Sequence, residues 1–416
     1  MIIFNSLGSN YSFREAFLAL RELLIPNQSA KKQLKKYLSN HFQGKTVLLF
    51  NGRDAIEYCL EAYGISKGDT VLTQAFSCSS LEEAINRTGA TAEYFDLDSE
   101  ALHTSLKQIE KAYQAATKPK AIILQHTLGY ADQVQEIAKF CKEKRIILIE
   151  DLAQAVGAVD DSGVELGSLA DAVILSFGRD KLLDGVSGGA VVFKHHSIEI
   201  PTLPKLEDWF ELKHDKSNKK LVVRLLFYPL LTLVIRHTYS IGLGKVLHWL
   251  AKKTGLMETQ IKSPHGHYQS FPAYFAPLVL RQWNGLHTQL ANRSFISSIY
   301  WNKLHEVEGI KIPLSPEKIA RGTNLRFPVV LSSSLQVKTA LSFLQKNGIF
   351  LNDRWYRAAV DSGSLQFQSN YQLGNCPNAE NYAKLLINLP THRVVTIKKA
   401  EKIAELVIKS LQDNHG

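Results

Sequence analysis

The 416-residue chain is 45% apolar and 21% charged, the balance of a soluble globular protein with room for two domains and a large core. Its four cysteines, Cys59, Cys78, Cys141 and Cys376, show neither paired nor metal-ligand spacing, which argues against a disulfide framework or a metal site and for a reducing compartment. The formal charge of +10 is local in origin: between Lys213 and Lys253 nine basic residues stand against one acid, Asp215, and long aliphatic runs interleave them, a pattern that favours an anionic membrane surface and gives no support to nucleic acid as a partner.

Residues 1–45 read as an N-terminal arm, with an extended start, a helical pattern over Phe13 to Leu24 and a second, basic one over Lys31 to Phe42. Met1 to Ser9 has no basic region and no long apolar core, so no secretory signal is expected and the cytoplasm is the expected address. From Thr46 short apolar runs alternate with amphipathic helices: Val47 to Phe50, Ala55 to Ala62, Thr70 to Thr73, Leu81 to Arg87, Thr91 to Phe95, Ala121 to Leu124, Val134 to Glu143 and Ile146 to Ile149. That alternation predicts βα units and a mainly parallel central sheet with helices on both faces, whose ligands collect at the carboxyl ends of the strands.

Several of those ends carry chemistry-bearing residues. Asn51-Gly52-Arg53-Asp54 follows the first strand and opens a helix, so Gly52 permits close backbone approach and the helix start offers amides to a phosphate; the plainer reading is a strand-to-helix turn capped by Asp54. No G-x-G-x-x-G and no Walker lysine motif is present. Ile146 to Ile149 runs into Glu150-Asp151-Leu152-Ala153-Gln154, where a carboxylate at a buried strand end needs a cationic partner, either a protonated ring nitrogen or a nearby Arg or Lys. The run after Asp171 ends at Ser176-Phe177, and Lys181 lies five residues past Ser176, before a glycine-rich exit through Gly189. A lysine at that position is partly desolvated, which favours the neutral amine that forms Schiff bases.

Together these segments resemble the DegT/StrS family of sugar aminotransferases, pyridoxal phosphate (PLP) enzymes of fold type I. The resemblance rests on Gly68 to Cys78, Gly89 to Asp98, I-E-D-L-A-Q-A-V-G-A from Ile149, G-S-L-A-D-A around Ser168 and S-F-x-x-x-K-x-L-x-G-x-x-G-G from Ser176. Phe271 to Leu304 is similar to the family's long helix, with Gln282, Arg293 and Tyr300 at expected places, and Cys376 to Glu380 with Leu389 to His392 is similar to its closing signature. The resemblance implies an α/β PLP-binding domain over 46–200 and a smaller C-terminal α+β domain over 265–416. It implies that Lys181 holds the cofactor aldehyde and moves protons, Asp151 pairs with the pyridine nitrogen, Gln154 contacts the ring hydroxyl side, and Ser176 with the Gly52-Arg53 turn takes the phosphate. The implied activity is amination of a keto sugar, nucleotide-linked or lipid-linked, for envelope polysaccharide synthesis, with glutamate as amino donor and a homodimer as the working unit.

Two alternatives stay open. A PLP-dependent sugar dehydratase is disfavoured because relatives with that chemistry replace the lysine with histidine, and a non-catalytic membrane-associated scaffold or sensor would explain two departures from the family pattern. Cys78 stands where an aromatic ring usually covers the cofactor, and an insertion over 201–264 replaces a segment that reaches the partner subunit's cofactor. In the insertion, twelve of the fifteen residues from Leu221 to Ile235 are apolar and Pro229 interrupts them, so the run is too short to span a bilayer and calls for burial on nearly all sides. Flanking bases and Trp249 suit a segment dipping into one leaflet at the inner membrane surface; a core or dimer-interface helix is the alternative. His126, Trp355 and Tyr356 are further pocket candidates, each equally explicable by packing or surface placement.

Overall fold

A computed structural model describes residues 1–24, 27–117, 119–195, 203–205, 216–257, 267–351, 355–362 and 368–412. Lys213, Asp215 and both limits of the insertion lie outside the described residues. Two helices, α1 (Phe13–Leu24) and α2 (Gln28–His41), precede the first long strand, β1 (Gly44–Leu49), and α3 (Gly52–Ala62) follows it. Then come β2 (Thr70–Gln74), α4 (Ser79–Arg87), β3 (Thr91–Phe95), β4 (Pro119–Gln125), β5 (Ile147–Asp151), β6 (Ala172–Ser176) and β7 (Gly189–Lys194). These strands form one sheet in the order β1-β7-β6-β5-β4-β2-β3, parallel throughout except for β7, which is antiparallel to both its neighbours.

The sheet is buried on both faces, as mainly parallel sheets must be. Along β6, Ala172 and Ile174 enter one core with Ala55, Ile56 and Leu60 of α3, while Val173 and Leu175 enter another with Leu34 and Leu38 of α2. α2 therefore covers the sheet as α3 does, and the N-terminal helices share the main core. The short stretch Ile3–Phe4 pairs in parallel with Ile349–Phe350 of the C-terminal lobe. That lobe packs the antiparallel strands β8 (Ile310–Lys311), β9 (Arg326–Leu331) and β10 (Leu386–Pro390) against helices that include the C-terminal one, Ile397–Gln412.

Two elements depart from expectation. The helix expected over Phe271 to Leu304 breaks at Gly285 into Ala276–Asn284 and Leu286–Leu304, because Gly285 leaves helical geometry at ψ 1° and turns its amide to the carbonyls of Arg281 and Gln282. In the insertion, α5 (Lys216–Thr238) is a 23-residue helix that contains Pro229, longer than the apolar run suggested. Thr232 sits on the turn that follows the proline, its hydroxyl donating to the carbonyls of Tyr228 and Pro229. Nor is α5 buried all round: Leu225, Leu226 and Ile235 pack inward, while Val223, Phe227 and Val234 face out. A second insertion helix, α6 (Leu243–Lys253), packs against it.

Candidate active site

The carboxyl ends of the parallel strands converge on a cavity of about 280 Å³. At the low end of the ~300–1,000 Å³ usual for ligand sites, this is room for one substituted ring. All seven residues singled out from the sequence, Gly52, Arg53, Cys78, Asp151, Gln154, Ser176 and Lys181, line it.

One wall is the start of α3. Asn51, in extended conformation, is the N-cap and accepts the Asp54 amide at 2.9 Å, so the cap is Asn51 and not Asp54, which is buried near Arg87 instead. The freed amides of the first turn point toward the cavity end, where a helix start favours an anion. A Cβ on Gly52 would stand 3.1 Å from Cβ and 3.2 Å from Oγ of Ser176, so the glycine lets the helix start close on the serine hydroxyl. The Arg53 guanidinium is buried against Glu83 of α4 at 3.0 Å, which leaves its backbone as the part available to a phosphate.

Asp151 ends β5, buried, with one carboxylate oxygen accepting the Ala153 amide at 2.9 Å. Burial pushes its pKa up; the amide, Lys181 and His126 pull the other way. Its neighbour Glu150 is fully buried and hydrogen-bonded to His126 Nε2 at 2.9 Å, so His126 is taken up by a buried carboxylate and does not line the cavity. Gln154 is held at both ends of its amide: Oε1 accepts the Leu128 amide at 2.8 Å and Nε2 donates to Tyr356 Oη at 2.6 Å. Cys78 is half-buried and packs in the apolar cluster that holds Phe76 and Tyr356.

Lys181 sits on the loop from β6 to β7, with Nζ 4.5 Å from the centroid of the Trp355 ring. The loop is built around a residue that sequence reasoning passed over. Asp184 is fully buried and accepts the amides of Asp180 (2.8 Å) and Val186 (3.0 Å), the Asn10 side chain (3.2 Å) and the Tyr11 hydroxyl. Asn10 also donates to the Lys181 carbonyl at 2.8 Å, so the N-terminal arm holds the lysine loop directly. Desolvation raises the Asp184 pKa to about 6 despite these donors. Asp180 takes a left-handed φ of 62° as the chain turns around this carboxylate.

Arg179, Tyr228 and Arg357 are among the lining residues that the sequence did not single out. The Arg179 guanidinium lies over the Tyr228 ring, 3.7 Å from its centroid, so α5 of the insertion forms part of the wall. Arg357 is paired with Asp361 at 3.1 Å. The only signal for Tyr228 was its place in an apolar run, which reads as packing.

An α/β sheet thus brings a lysine loop, a buried strand-end carboxylate and a helix-start cradle around one cavity. The chain belongs to the DegT/DnrJ/EryC1/StrS aminotransferase family, whose model matches residues 27–200 and 252–408. Among curated relatives it is 35% identical over 142 residues to a pleiotropic regulatory protein of Geobacillus stearothermophilus (34% of this chain, 37% of the relative). It is 33% identical over 153 residues to the GDP-perosamine synthase of Escherichia coli O157:H7 (37% and 41%). These alignments span about two fifths of each relative. Spr1654 from Streptococcus pneumoniae, in its PLP form, superposes with a TM-score of 0.71 at 20% identity over 97% of both chains, which establishes the shared fold.

Proposed function

We propose that the protein is a PLP-dependent aminotransferase that converts a keto sugar, nucleotide-linked or lipid-linked, to an amino sugar with glutamate as donor. By family resemblance the working unit is a homodimer and residues 46–200 hold the cofactor; Trp355 and Tyr356, from the lobe over 265–416, line the same cavity. The observation that carries the reading is the cavity that Lys181 and Asp151 share with the Gly52–Ser176 cradle.

The residues present fit the cofactor. A buried carboxylate with a raised pKa suits a protonated ring nitrogen, which repays its desolvation, and the glycine against a serine hydroxyl at a helix start suits a phosphate. Bound there, PLP supplies an electron sink for charge that develops at the substrate carbon. Asp151 keeps the ring nitrogen protonated. Gly52, the Arg53 amide and the Ser176 hydroxyl fix the phosphate, and Gln154, itself clamped by Leu128 and Tyr356, sets the ring's edge. The Lys181 amine would hold the cofactor at its aldehyde and, as a free base, would carry a proton to and from the reacting carbon.

All four cysteines are free, which is consistent with a reducing, cytoplasmic setting. The test is spectroscopic. Purified protein with added PLP should show a visible absorbance band that glutamate bleaches and Lys181→Ala abolishes. Absence of the band would overturn the reading in favour of a non-catalytic scaffold, to which the regulatory relative and the small Cys78 side chain lend support.

A further inference from the structure

We propose that α1, α5 and α6 form a single face that docks in plane on an anionic lipid surface. The family match leaves out residues 1–26 and 201–251, and the described parts of these two separate stretches come together in the fold. α1 packs along α5, with the Phe13 ring 5.4 Å from that of His237, and α5 packs against α6. Each helix then presents an apolar stripe to solvent. On α1 it is Phe13, Phe17 (71% exposed) and Leu24, spaced i, i+4 and i+11. On α5 the same spacing brings out Val223, Phe227 (42%) and Val234. On α6 it is Leu243, Val246 and Leu250, with Trp249 beside them at 59%. Singly exposed apolar side chains need no explanation, but an exposed apolar stripe on each of three helices packed in series marks a surface made to be covered.

Charge decides the occupant. The only acids on these helices are Glu15 and Glu22, and both are buried: Glu15 pairs with Arg281 and Arg393, Glu22 with Arg21. The exposed charged side chains described on the three helices are basic, with Arg14, Lys219, Lys220, Lys245 and Lys252 among them. A second copy apposed through this face would bring like charges together, whereas an anionic bilayer gains about 1 kcal/mol for each base near its surface. The helix does not cross the bilayer. Lys219–Thr238 is long and apolar enough to do so, but Leu225, Leu226 and Ile235 are buried in the protein, so α5 lies along the surface. Its inner side carries Tyr228 into the cavity wall, which puts the site about one helix diameter, ~10 Å, from the headgroups.

Flotation of the full chain with phosphatidylglycerol–phosphatidylcholine vesicles and with pure phosphatidylcholine vesicles tests the dock. The chain should float with the anionic vesicles and much less with the neutral ones. Phe17→Glu and Phe227→Glu should each lower the bound fraction about tenfold, with melting temperatures unchanged. Phe17→Glu is the decisive variant because it lies outside the basic segment. No flotation of the unmodified chain, or flotation indifferent to both substitutions, overturns the proposal. So does a dimer in light scattering that both substitutions split, which would assign the face to a second copy. The cofactor band, read on the same samples, keeps this result separate from the fate of the aminotransferase reading.

Discussion

Two residues carry the precision of the lysine loop, and neither bears chemistry of its own. Gly189 opens β7 beside the Asn51–Gly52 turn, where a Cβ would fall 2.5 Å from the Asn51 carbonyl oxygen, a contact only backbone movement can relieve. Gly189→Ala is therefore expected to cost about 2–3 kcal/mol in unfolding free energy and to loosen PLP binding, because the part that moves is the phosphate cradle. Urea denaturation and a PLP titration check the two effects, and an unchanged affinity would separate the turn from the cradle. Tyr11 donates its hydroxyl to the buried Asp184, so Tyr11→Phe should lower stability by about 1.5–3 kcal/mol, the range for hydrogen bonds to charged groups. That Lys181, Asp151, Gln154 and Ser176 line one cavity was legible because family spacing fixes them relative to strand ends. Asp184 was not, because its role depends on Asn10 and Tyr11, more than 170 positions away in sequence, and no local pattern announces such a contact.

At the scale of the elements, α5 carries two opposed functions on adjacent residues. Leu226 is fully buried in the main core, and Leu226→Ala should destabilise by about 2–5 kcal/mol. Its neighbour Phe227 faces out, and Phe227→Glu should leave the unfolding midpoint within about 0.5 kcal/mol of the parent. Thermal or urea melts of the pair decide the matter; equal losses would mean that the helix is enclosed on both sides. The strands were legible because alternation between two cores writes itself into sequence, and β3 begins and ends where its apolar run does. The run of α5 is apolar on all sides, so its composition alone does not tell a core helix from a surface one. The α1 seat that makes it two-sided is remote in sequence.

Across the whole molecule, two buried titrating groups set opposing pH slopes. Asp184 carries a folded pKa of about 6 against an ordinary value of 3.8. Between those values the native state holds a proton that the unfolded chain has released, so this group's stabilisation is full below pH 3.8 and is lost as pH rises through 6. Over that window the loss amounts to about 3 kcal/mol. His392 works in reverse. Its Nε2 donates to the Phe4 carbonyl at 2.9 Å where the N-terminal stretch meets the C-terminal lobe, and burial beside Arg326, Arg293 and Arg236 drives its pKa well below 6.5. Below pH 6.5 the unfolded chain takes up a proton that the native state refuses, so stability falls as pH falls. In the overlap, below about pH 6, the two groups act with opposite sign, and each offsets part of the other's pH dependence. Removing one exposes the other. Asp184→Asn should make stability rise more steeply with pH across this window, and His392→Gln should make it fall, each relative to the parent measured in the same buffers. Urea midpoints at half-unit pH steps give the slopes directly, and parallel curves for all three proteins would show that neither group titrates differently on unfolding.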